Sequence, residues 1–215
     1  MTIYALSSGS GIAGISVIRI SGPETREIIT KMTSGSFPKA KQATLKKINK
    51  IGSDEVIDQG IIIWFPGPHS YTGEDMAEFH VHGSRAVVEA IHISVSKIAN
   101  CRPAEPGEFT KLAFQNGKIN LLKAESISDL ISAETEMQRQ QAIKIMSGTS
   151  SKKFIELRDR LLKILSNVEA KIDFPEEDLP EDIIKNIKIE SNKIKEEIKK
   201  ILNDQKVGEL IREGF

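Results

Sequence analysis

The sequence predicts a mixed α/β domain followed by an all-helical segment, and three observations carry this prediction. Two apolar, β-branched runs at residues 12–20 and 59–65 are bounded by glycine and proline, which is typical of buried strands. Amphipathic patterns at 24–32 and 85–99 are interleaved with those runs and predict helices. After Lys118 the chain has no proline until Pro175, and its leucines and isoleucines recur at helical spacing.

The first 118 residues carry further strand signals. Residues 39–51 are strand-like but polar, and Pro66-Gly-Pro68 ends the apolar run at 59–65. Residues 76–82 alternate between an apolar face and a polar face, and the polar face carries Glu78, His80 and His82. Such a polar face must meet water or a ligand. The order of strand, turn, strand and helix favours an α/β layer over an all-β barrel.

The second half of the chain reads as a series of amphipathic helices. One pattern covers 121–131 and another covers 154–168, with Ser147-Gly-Thr-Ser-Ser151 as the break between them. An acidic, proline-marked elbow at 173–180 precedes a helix at 181–202 that is rich in lysine, glutamate and isoleucine. The narrow isoleucine seam of this last helix predicts packing against a neighbouring helix.

The bulk composition argues against several classes of protein. Lysine plus arginine and aspartate plus glutamate both total 30, so no global basic field favours tight nucleic-acid binding by this chain alone. The single Cys101 excludes an intramolecular disulfide and a multi-cysteine zinc site. The amino terminus lacks signal-peptide features and no apolar window is long enough for a membrane helix, so we expect a soluble, cytoplasmic protein.

Arg19 is the first candidate binding residue because it stands alone in an apolar strand. A guanidinium in such surroundings requires a carboxylate, which either the protein or a ligand can supply. Glu78, on the polar face of the strand at 76–82, can accept hydrogen bonds from a ring amine and its neighbouring N–H. Lys118, at the junction of the two halves, is a candidate contact for an anionic ligand end. The pattern alone leaves ligand binding and internal pairing both open.

Two further motifs resemble cofactor sites but lack the neighbouring structure or residues that such sites require. Gly9-Ser-Gly-Ile-Ala-Gly14 matches G-x-G-x-x-G, but a strand follows it instead of a helix, which argues against a dinucleotide site. His80 and His82 form half of a metal site, and spacing places no third ligand, so we interpret them as structural or pocket-lining residues. No phosphate-binding loop occurs, so we expect no nucleotide hydrolysis by this chain.

A series of short motifs runs essentially end to end and consists of Arg19-Ile-Ser-Gly22, Trp64-Phe-Pro-Gly-Pro68 with Tyr71-Thr-Gly-Glu-Asp75, His82-Gly83, Glu105-Pro-Gly-Glu-Phe-Thr110, Ala113-Phe114, Asn116-Gly-Lys118, Ala124-Glu125, Asp129-Leu-Ile131 and Ile172-Asp-Phe-Pro-Glu-Glu-Asp178. Taken in order, these motifs resemble the MnmE (TrmE) family, the GTPases that modify the wobble uridine of transfer RNA. One stretch departs from the family. Where much of it has Pro-Pro-Gly-Arg-Gly-Gly, residues 9–14 here lack the prolines and the arginine.

The resemblance implies an α+β domain of the TrmE N-terminal type, a mixed sheet with helices, over residues 1–118. This domain would bind tetrahydrofolate and form the homodimer. Residues 119–215 would be the first part of an all-α helical domain. In the family a GTP-binding domain begins after a segment matched here by Leu210-Ile-Arg-Glu-Gly214, so the resemblance predicts a chain truncated before that domain. GTP, Mg²⁺ and K⁺ would belong to the missing domain, and the family's C-terminal cysteine would also be absent.

The resemblance further implies a folate site at Arg19, Glu78 and Lys118, with no catalytic residue and no metal ligand in this chain. The ligand would be a one-carbon derivative, 5-formyl- or 5,10-methylene-tetrahydrofolate. Glu78 would meet the pterin donors, with Arg19 and Lys118 near the anionic or carbonyl groups. The implied partners are a second copy, the flavoprotein MnmG with its FAD, and transfer RNA through the full complex, which forms the 5-carboxymethylaminomethyl group on the wobble uridine. No membrane partner is implied.

Two alternatives stay open on the sequence alone. One is a non-catalytic interaction scaffold whose helical half docks MnmG, with folate binding lost through the altered loop at 9–14. The other is an independent folate-dependent methyl or formyl transferase. No acid-base pair with suitable spacing supports the transferase.

Overall fold

The computed structural model describes residues 1–173, 182–203 and 207–213. The chain divides into two compact units, Met1–Asn120 and Leu121–Phe215. The first unit contains a six-stranded sheet with helices, and the described part of the second unit is helical. This confirms the predicted fold class, an α+β domain followed by an all-α segment. The division falls two residues after Lys118, where the sequence pattern changes.

The sheet of the first unit is almost entirely antiparallel. Its strand order is β3-β4-β5-β2-β1-β6, and only the pairing of β1 with β6 is parallel. The strands are β1 (Thr2–Leu6), β2 (Ala13–Ser21), β3 (Thr44–Asn49), β4 (Val56–Phe65), β5 (Met76–Gly83) and β6 (Cys101–Pro103). The central strands β5 and β2 therefore come from segments far apart in the sequence.

Two helices cover one face of this sheet, which we call the inner face. They are α1 (Thr25–Met32) and α2 (Arg85–Val95), and both contact β5. The inner face carries Ile18, Ile20 and Phe79, all fully buried. Each such side chain contributes about 1.5–3 kcal/mol when it leaves water. Because side chains alternate along a strand, the neighbours of these residues point to the opposite, outer face.

The first unit departs from the sequence prediction at several elements. Strands β1 and β6, together with helix α3 (Glu108–Gln115), were not anticipated. The polar strand expected at 39–51 is confined to β3, and the helix expected at 85–99 ends at Val95. Both strands are short. Strand β1 pairs with β2 on one side and with β6 on the other, and the long-range contact that defines β6 leaves no local signal in the sequence.

The second unit contains one more helix between residues 121 and 173 than the sequence predicted. Thr135 caps the additional helix, α5, with a reciprocal capping box to Gln138. The helices are α4 (Leu121–Ile131), α5 (Glu136–Met146), α6 (Thr149–Asp173), α7 (Asp182–Leu202) and α8 (Val207–Glu213). The predicted break around Ser147 is confirmed, with Gly148 at φ 88°. The elbow was expected at 173–180, and all of it except Asp173 lies outside the described residues.

Polar contacts attach α8 to the helices before it. Arg212 Nε donates to Asp129 Oδ1 of α4 at 2.8 Å, and Gln141 Nε2 of α5 donates to the Gly208 carbonyl at 2.9 Å. The predicted isoleucine seam of α7 packs in part against α6, where Ile194 is buried, whereas Ile198 stays exposed. None of the described helices combines the length and apolar character that crossing a bilayer requires.

Candidate functional site

Arg19 and Glu78 form an ion pair on the outer face of the sheet. They are direct partners in the register of β2 and β5, and their neighbours Ile18, Ile20 and Phe79 enter the core on the inner face. The guanidinium donates to Glu78 Oε1 through Nη2 at 2.8 Å and Nε at 3.0 Å. The side chains are 28% and 17% exposed, so solvent reaches the pair without fully screening it.

Two aromatic rings flank the guanidinium of Arg19. Its Cζ lies 5.6 Å from the ring centroid of Tyr71 and 5.5 Å from that of Phe109. Contacts of this kind contribute about 0.5–1 kcal/mol each at exposed sites. The Tyr71 hydroxyl lies 2.9 Å from Thr110 Oγ1, which joins the turn after β4 to helix α3. Arg19 is thus held by a carboxylate and by two rings from different segments.

Lys118 lies against the same turn. Asn116 Nδ2 donates to the Thr72 carbonyl at 2.7 Å and brings the end of α3 to the turn. Gly73 has φ 85°, which favours glycine, and Lys118 Cε packs against it, 2.8 Å from where a Cβ would lie. Lys118 is exposed, and no carboxylate among the described residues forms an ion pair with it. Its ammonium is therefore available to an anionic group.

The second carboxylate oxygen of Glu78 is less engaged than the first. Glu78 Oε2 lies 3.4 Å from His80 Nε2, whereas Oε1 carries both hydrogen bonds from Arg19. His82 lies farther along β5, where Asp58 accepts from its backbone N–H and contacts its Nδ1, each at 2.8 Å. The described residues contain no cluster of three or more His, Cys, Asp or Glu side chains suited to a metal ion.

A second ion pair anchors the helix that carries Phe109. Arg102 in β6 donates to Glu108 Oε2 at 2.9 Å through Nη1, and the Glu105 backbone N–H donates to the same oxygen at 2.8 Å. The hydrogen bonds from Arg102 are the main cause that lowers the pKa of Glu108 to about 2, from an ordinary value near 4.5. The first turn of α3, and with it Phe109, is fixed by this carboxylate.

The depressed pKa of Glu108 predicts an acid-dependent contribution to stability. The carboxylate stabilises the folded state at pH values above its ordinary, unfolded-state pKa near 4.5, and this contribution is lost as the pH falls toward 2. Glu108→Gln should therefore flatten the pH dependence of the free energy of unfolding in that window. Urea unfolding followed by Trp64 fluorescence measures it. Glu105→Gln serves as the control, and an equally flattened curve for this control would contradict the assignment.

A cleft of about 630 Å³ lies elsewhere in the first unit, between the loop at 9–14 and α2. Its walls are mainly apolar, and neither Arg19, Glu78 nor Lys118 lines it. His92 does line it, and burial lowers the pKa of this imidazole. We place the candidate site at the outer-face cluster, because that cluster gathers hydrogen-bonding and charged groups of both signs.

Sequence reasoning identified the charged residues of the cluster but missed its aromatic ones. The structure joins Arg19 to Glu78 directly and places Lys118 at the turn that carries Tyr71. Tyr71 and Phe109 stand inside the motifs that were singled out, yet nothing in their spacing indicates that both approach one guanidinium. The glycine loop at 9–14 has Gly11 at φ 129°. Strand β1 precedes this loop and strand β2 follows it, so the loop does not lead into a helix as a dinucleotide-binding loop does.

The fold is an α+β domain, which carries the outer-face cluster, followed by a helical unit. The family model described as GTP-binding protein TrmE N-terminus matches residues 2–118, and the MnmE helical domain model matches residues 121–215. The chain belongs to the MnmE (TrmE) family. This confirms the resemblance deduced from the ordered motifs.

Individual relatives agree with the family models. The chain is 71% identical to the tRNA modification GTPase MnmE of Pelagibacter ubique over all 215 residues, which are 48% of that protein. It is 42% identical to the mitochondrial 5-taurinomethyluridine-[tRNA] synthase subunit GTPB3 of Danio rerio, over 99% of this chain and 43% of the relative. The MnmE of Granulibacter bethesdensis is 43% identical, with 100% and 48% covered. The chain spans about half the length of these relatives.

Proposed function

We propose that this chain binds a one-carbon tetrahydrofolate and presents it for transfer RNA modification. The outer-face cluster is the observation that carries the proposal, because it sets a carboxylate, a guanidinium and an ammonium around one turn. The names of the relatives support transfer RNA as the substrate of the whole protein. The donor is 5-formyl- or 5,10-methylene-tetrahydrofolate, and its carbon becomes the methylene on uridine carbon 5.

The cluster has the donors and acceptors that a folate requires. Glu78 Oε2, with its single long contact to His80, can accept from the pterin amine and ring N–H. Arg19 and Lys118 supply positive charge for the carbonyl and carboxylate groups of the ligand. These residues bind and orient, and they supply no nucleophile. In this proposal the role of the chain is to position the carbon donor.

The other parts of the activity belong to the longer protein. We propose that the first unit forms a homodimer, that the full-length protein hydrolyses GTP in a domain with Mg²⁺ and K⁺, and that it works with the FAD-carrying MnmG. The chain itself should not hydrolyse GTP. Release of phosphate from GTP by the purified chain, measured beside a buffer blank, would contradict the assignment of GTP hydrolysis to a domain outside this chain.

An interaction scaffold is the second candidate, and a specific observation favours it. Glu78 already pairs with the guanidinium of Arg19 within the protein. A purely structural ion pair would have the same geometry. Exposed apolar side chains on α6 and α7, including Phe154 at 50% and Leu202 at 72%, suit a protein partner such as MnmG. A folded chain that binds no folate would favour this candidate.

Calorimetric titration with 5-formyl-tetrahydrofolate tests the folate proposal. We expect saturable binding by the unaltered chain and a loss of about 10-fold or more in affinity for Lys118→Ala, because a charge-assisted contact contributes about 1.5–3 kcal/mol. Lys97→Ala is the matched control, since Lys97 is an exposed lysine just after α2. Equal losses in both variants, or no binding by the folded chain, would refute the site.

A further inference from the structure

The balanced total charge of the chain conceals a stretch with positive charge only. Residues 28–53 contain six lysines and no aspartate or glutamate, whereas the whole chain has 30 basic and 30 acidic residues. The lysines are Lys31, Lys39, Lys41, Lys46, Lys47 and Lys50. The composition of the whole chain argued against tight nucleic-acid binding, but a local segregation of charge can create a positive field on one side of a neutral domain.

The structure places this stretch along one edge of the sheet. Strand β3 is an edge strand, and β4 is its neighbour in the sheet; on its other side only an isolated bridge from Thr33 to Ile48 is formed among the described residues. Lys47 is opposite Gln59, and the chain before β3 runs beside the other end of β4, where the Lys41 backbone N–H donates to the Trp64 carbonyl at 2.7 Å. The lysines are therefore spread along the sheet edge for about 20 Å, at about 3.3 Å per residue.

Most of this charge has no carboxylate partner. Lys31 and Lys50 form ion pairs with Glu27 and Glu55. Lys46 Nζ donates to the Ser34 and Ser36 carbonyls, which orient the ammonium without neutralising it. The remaining members, Lys39, Lys41 and Lys47, are exposed, and no ion pair joins them to any described carboxylate. We call Lys39, Lys41, Lys46 and Lys47 the basic edge.

Protection of an edge strand explains only part of this arrangement. Lysines on an edge discourage pairing with another strand, and Lys46 and Lys47 in β3 suffice for that. Lys39 and Lys41 lie before the strand, so protection does not account for them. Lys41 also has φ 59°, in a region where a residue other than glycine or asparagine is uncommon.

Arg26 extends the positive surface at the Lys41 end. Its Cζ lies 4.7 Å from the ring centroid of Phe37 and 5.3 Å from that of Trp64, the residue whose carbonyl binds the Lys41 backbone. The guanidinium is thus held over aromatic rings while it remains exposed. A line of cations that are not paired with carboxylates is the pattern that matches regularly spaced phosphates.

We propose that the basic edge contacts the phosphate backbone of RNA. The inference rests on the proposed function for the identity of that RNA, a transfer RNA, but the contact itself is with phosphates and carries no base specificity. Its role is to set where the RNA lies on the first unit, and ammonium groups on long side chains suit it because they form point-charge contacts with phosphate oxygens.

The salt dependence of binding tests this proposal. The probe is a fluorescein-labelled, unmodified transfer RNA transcript, whose anisotropy is followed with the unaltered chain and with K39Q/K41N/K47Q. Asparagine is used at position 41 because it tolerates positive φ. Loss of three phosphate contacts should reduce the slope of log K against log salt by about 2–3, so the affinity ratio of the two proteins changes about 20- to 40-fold between about 50 and 200 mM KCl.

Two further variants make the result specific. K185Q/K188Q/K195Q removes the same charge from exposed positions of α7 and should leave the slope unchanged. K39R/K41R/K47R keeps the charge and should retain the slope. Melting temperatures followed by circular dichroism should agree among all four proteins, because none of the substituted lysines on the basic edge has a side-chain partner among the described residues.

Several results would overturn the inference. One is an unchanged slope for K39Q/K41N/K47Q, and another is an equal change of slope for the α7 variant. A third is the absence of transfer RNA binding by the unaltered chain at about 50 mM KCl. That third result would point to an acidic protein as the partner. A chain that binds folate with an unchanged slope would refute only the basic edge. A changed slope without folate binding would refute only the folate site.

Discussion

Arg19→Met is expected to abolish detectable binding of 5-formyl-tetrahydrofolate, with a loss of about 100-fold or more. The guanidinium is the most tightly held charge of the cluster, fixed by Glu78 and flanked by Tyr71 and Phe109. A preorganised cation contributes more to the free energy of binding than a mobile one, because little side-chain entropy is lost on binding. Isothermal calorimetry with the folate measures this loss.

Stability separates the ligand role of Arg19 from its structural role. Removing Arg19 alone leaves the half-buried Glu78 without its partner, at a cost of about 1–3 kcal/mol, between the values for exposed and for buried pairs. The double variant Arg19→Met, Glu78→Gln removes both charges and should recover most of that stability. We expect it to bind no folate even so. Recovered folate binding in the double variant would show that the pair acts only on the fold.

Gly22→Ala is expected to destabilise the first unit by about 3–5 kcal/mol, through backbone strain and overpacking together. Gly22 has φ 136°, and a Cβ on it would lie 2.6 Å from both Cα and Oγ1 of Thr2. Thr2 is fully buried in β1, and its hydroxyl accepts from the Glu24 backbone N–H at 2.9 Å, so it has no room to move. Urea unfolding followed by Trp64, the single tryptophan, reports on this unit alone.

Substitutions at two other glycines distinguish backbone strain from close contact as the cause of that loss of stability. Gly52 has φ 80°, and a Cβ on it would meet nothing within 4 Å, so Gly52→Ala measures strain alone and should cost about 1 kcal/mol. Gly60 lies in β4, where a Cβ would be 2.3 Å from the His80 carbonyl oxygen, so Gly60→Ala isolates close contact. A Gly22→Ala loss no larger than that of Gly52→Ala would contradict the proposed contact with Thr2.

The alternation of side chains made much of the first unit predictable. Ile18 and Ile20 on either side of Arg19, and Phe79 beside Glu78, already separate an apolar face from a polar one, because successive strand residues point in opposite directions. Arg19 and Glu78 could therefore be identified from the sequence as charges that an apolar strand cannot bury alone, before their pairing was known. Amphipathic periodicity likewise predicted α1, α2 and α7, since a helix repeats its buried stripe every three to four residues.

Local signals were too weak for elements that exist through long-range pairing. Strand β6 has three residues and is defined by its register with β1, about a hundred residues earlier in the chain. Helix α5 has a clear cap at Thr135, but its apolar stripe is poor, and it was not predicted. In such segments, contacts that are remote in sequence decide the conformation, and these contacts outweigh the small differences in intrinsic propensity.

The sequence by itself determined the fold class, the family and the identity of the three charged residues Arg19, Glu78 and Lys118. These follow from residue type, order and spacing, which are properties of the chain. Only the tertiary structure decided that Arg19 and Glu78 meet, that Tyr71 and Phe109 flank the guanidinium, and that the lysines of the basic edge lie along one edge of the sheet. The physical reason is that strand register and sheet order join segments that are far apart in the chain, and ion pairs and phosphate contacts act over only a few ångströms.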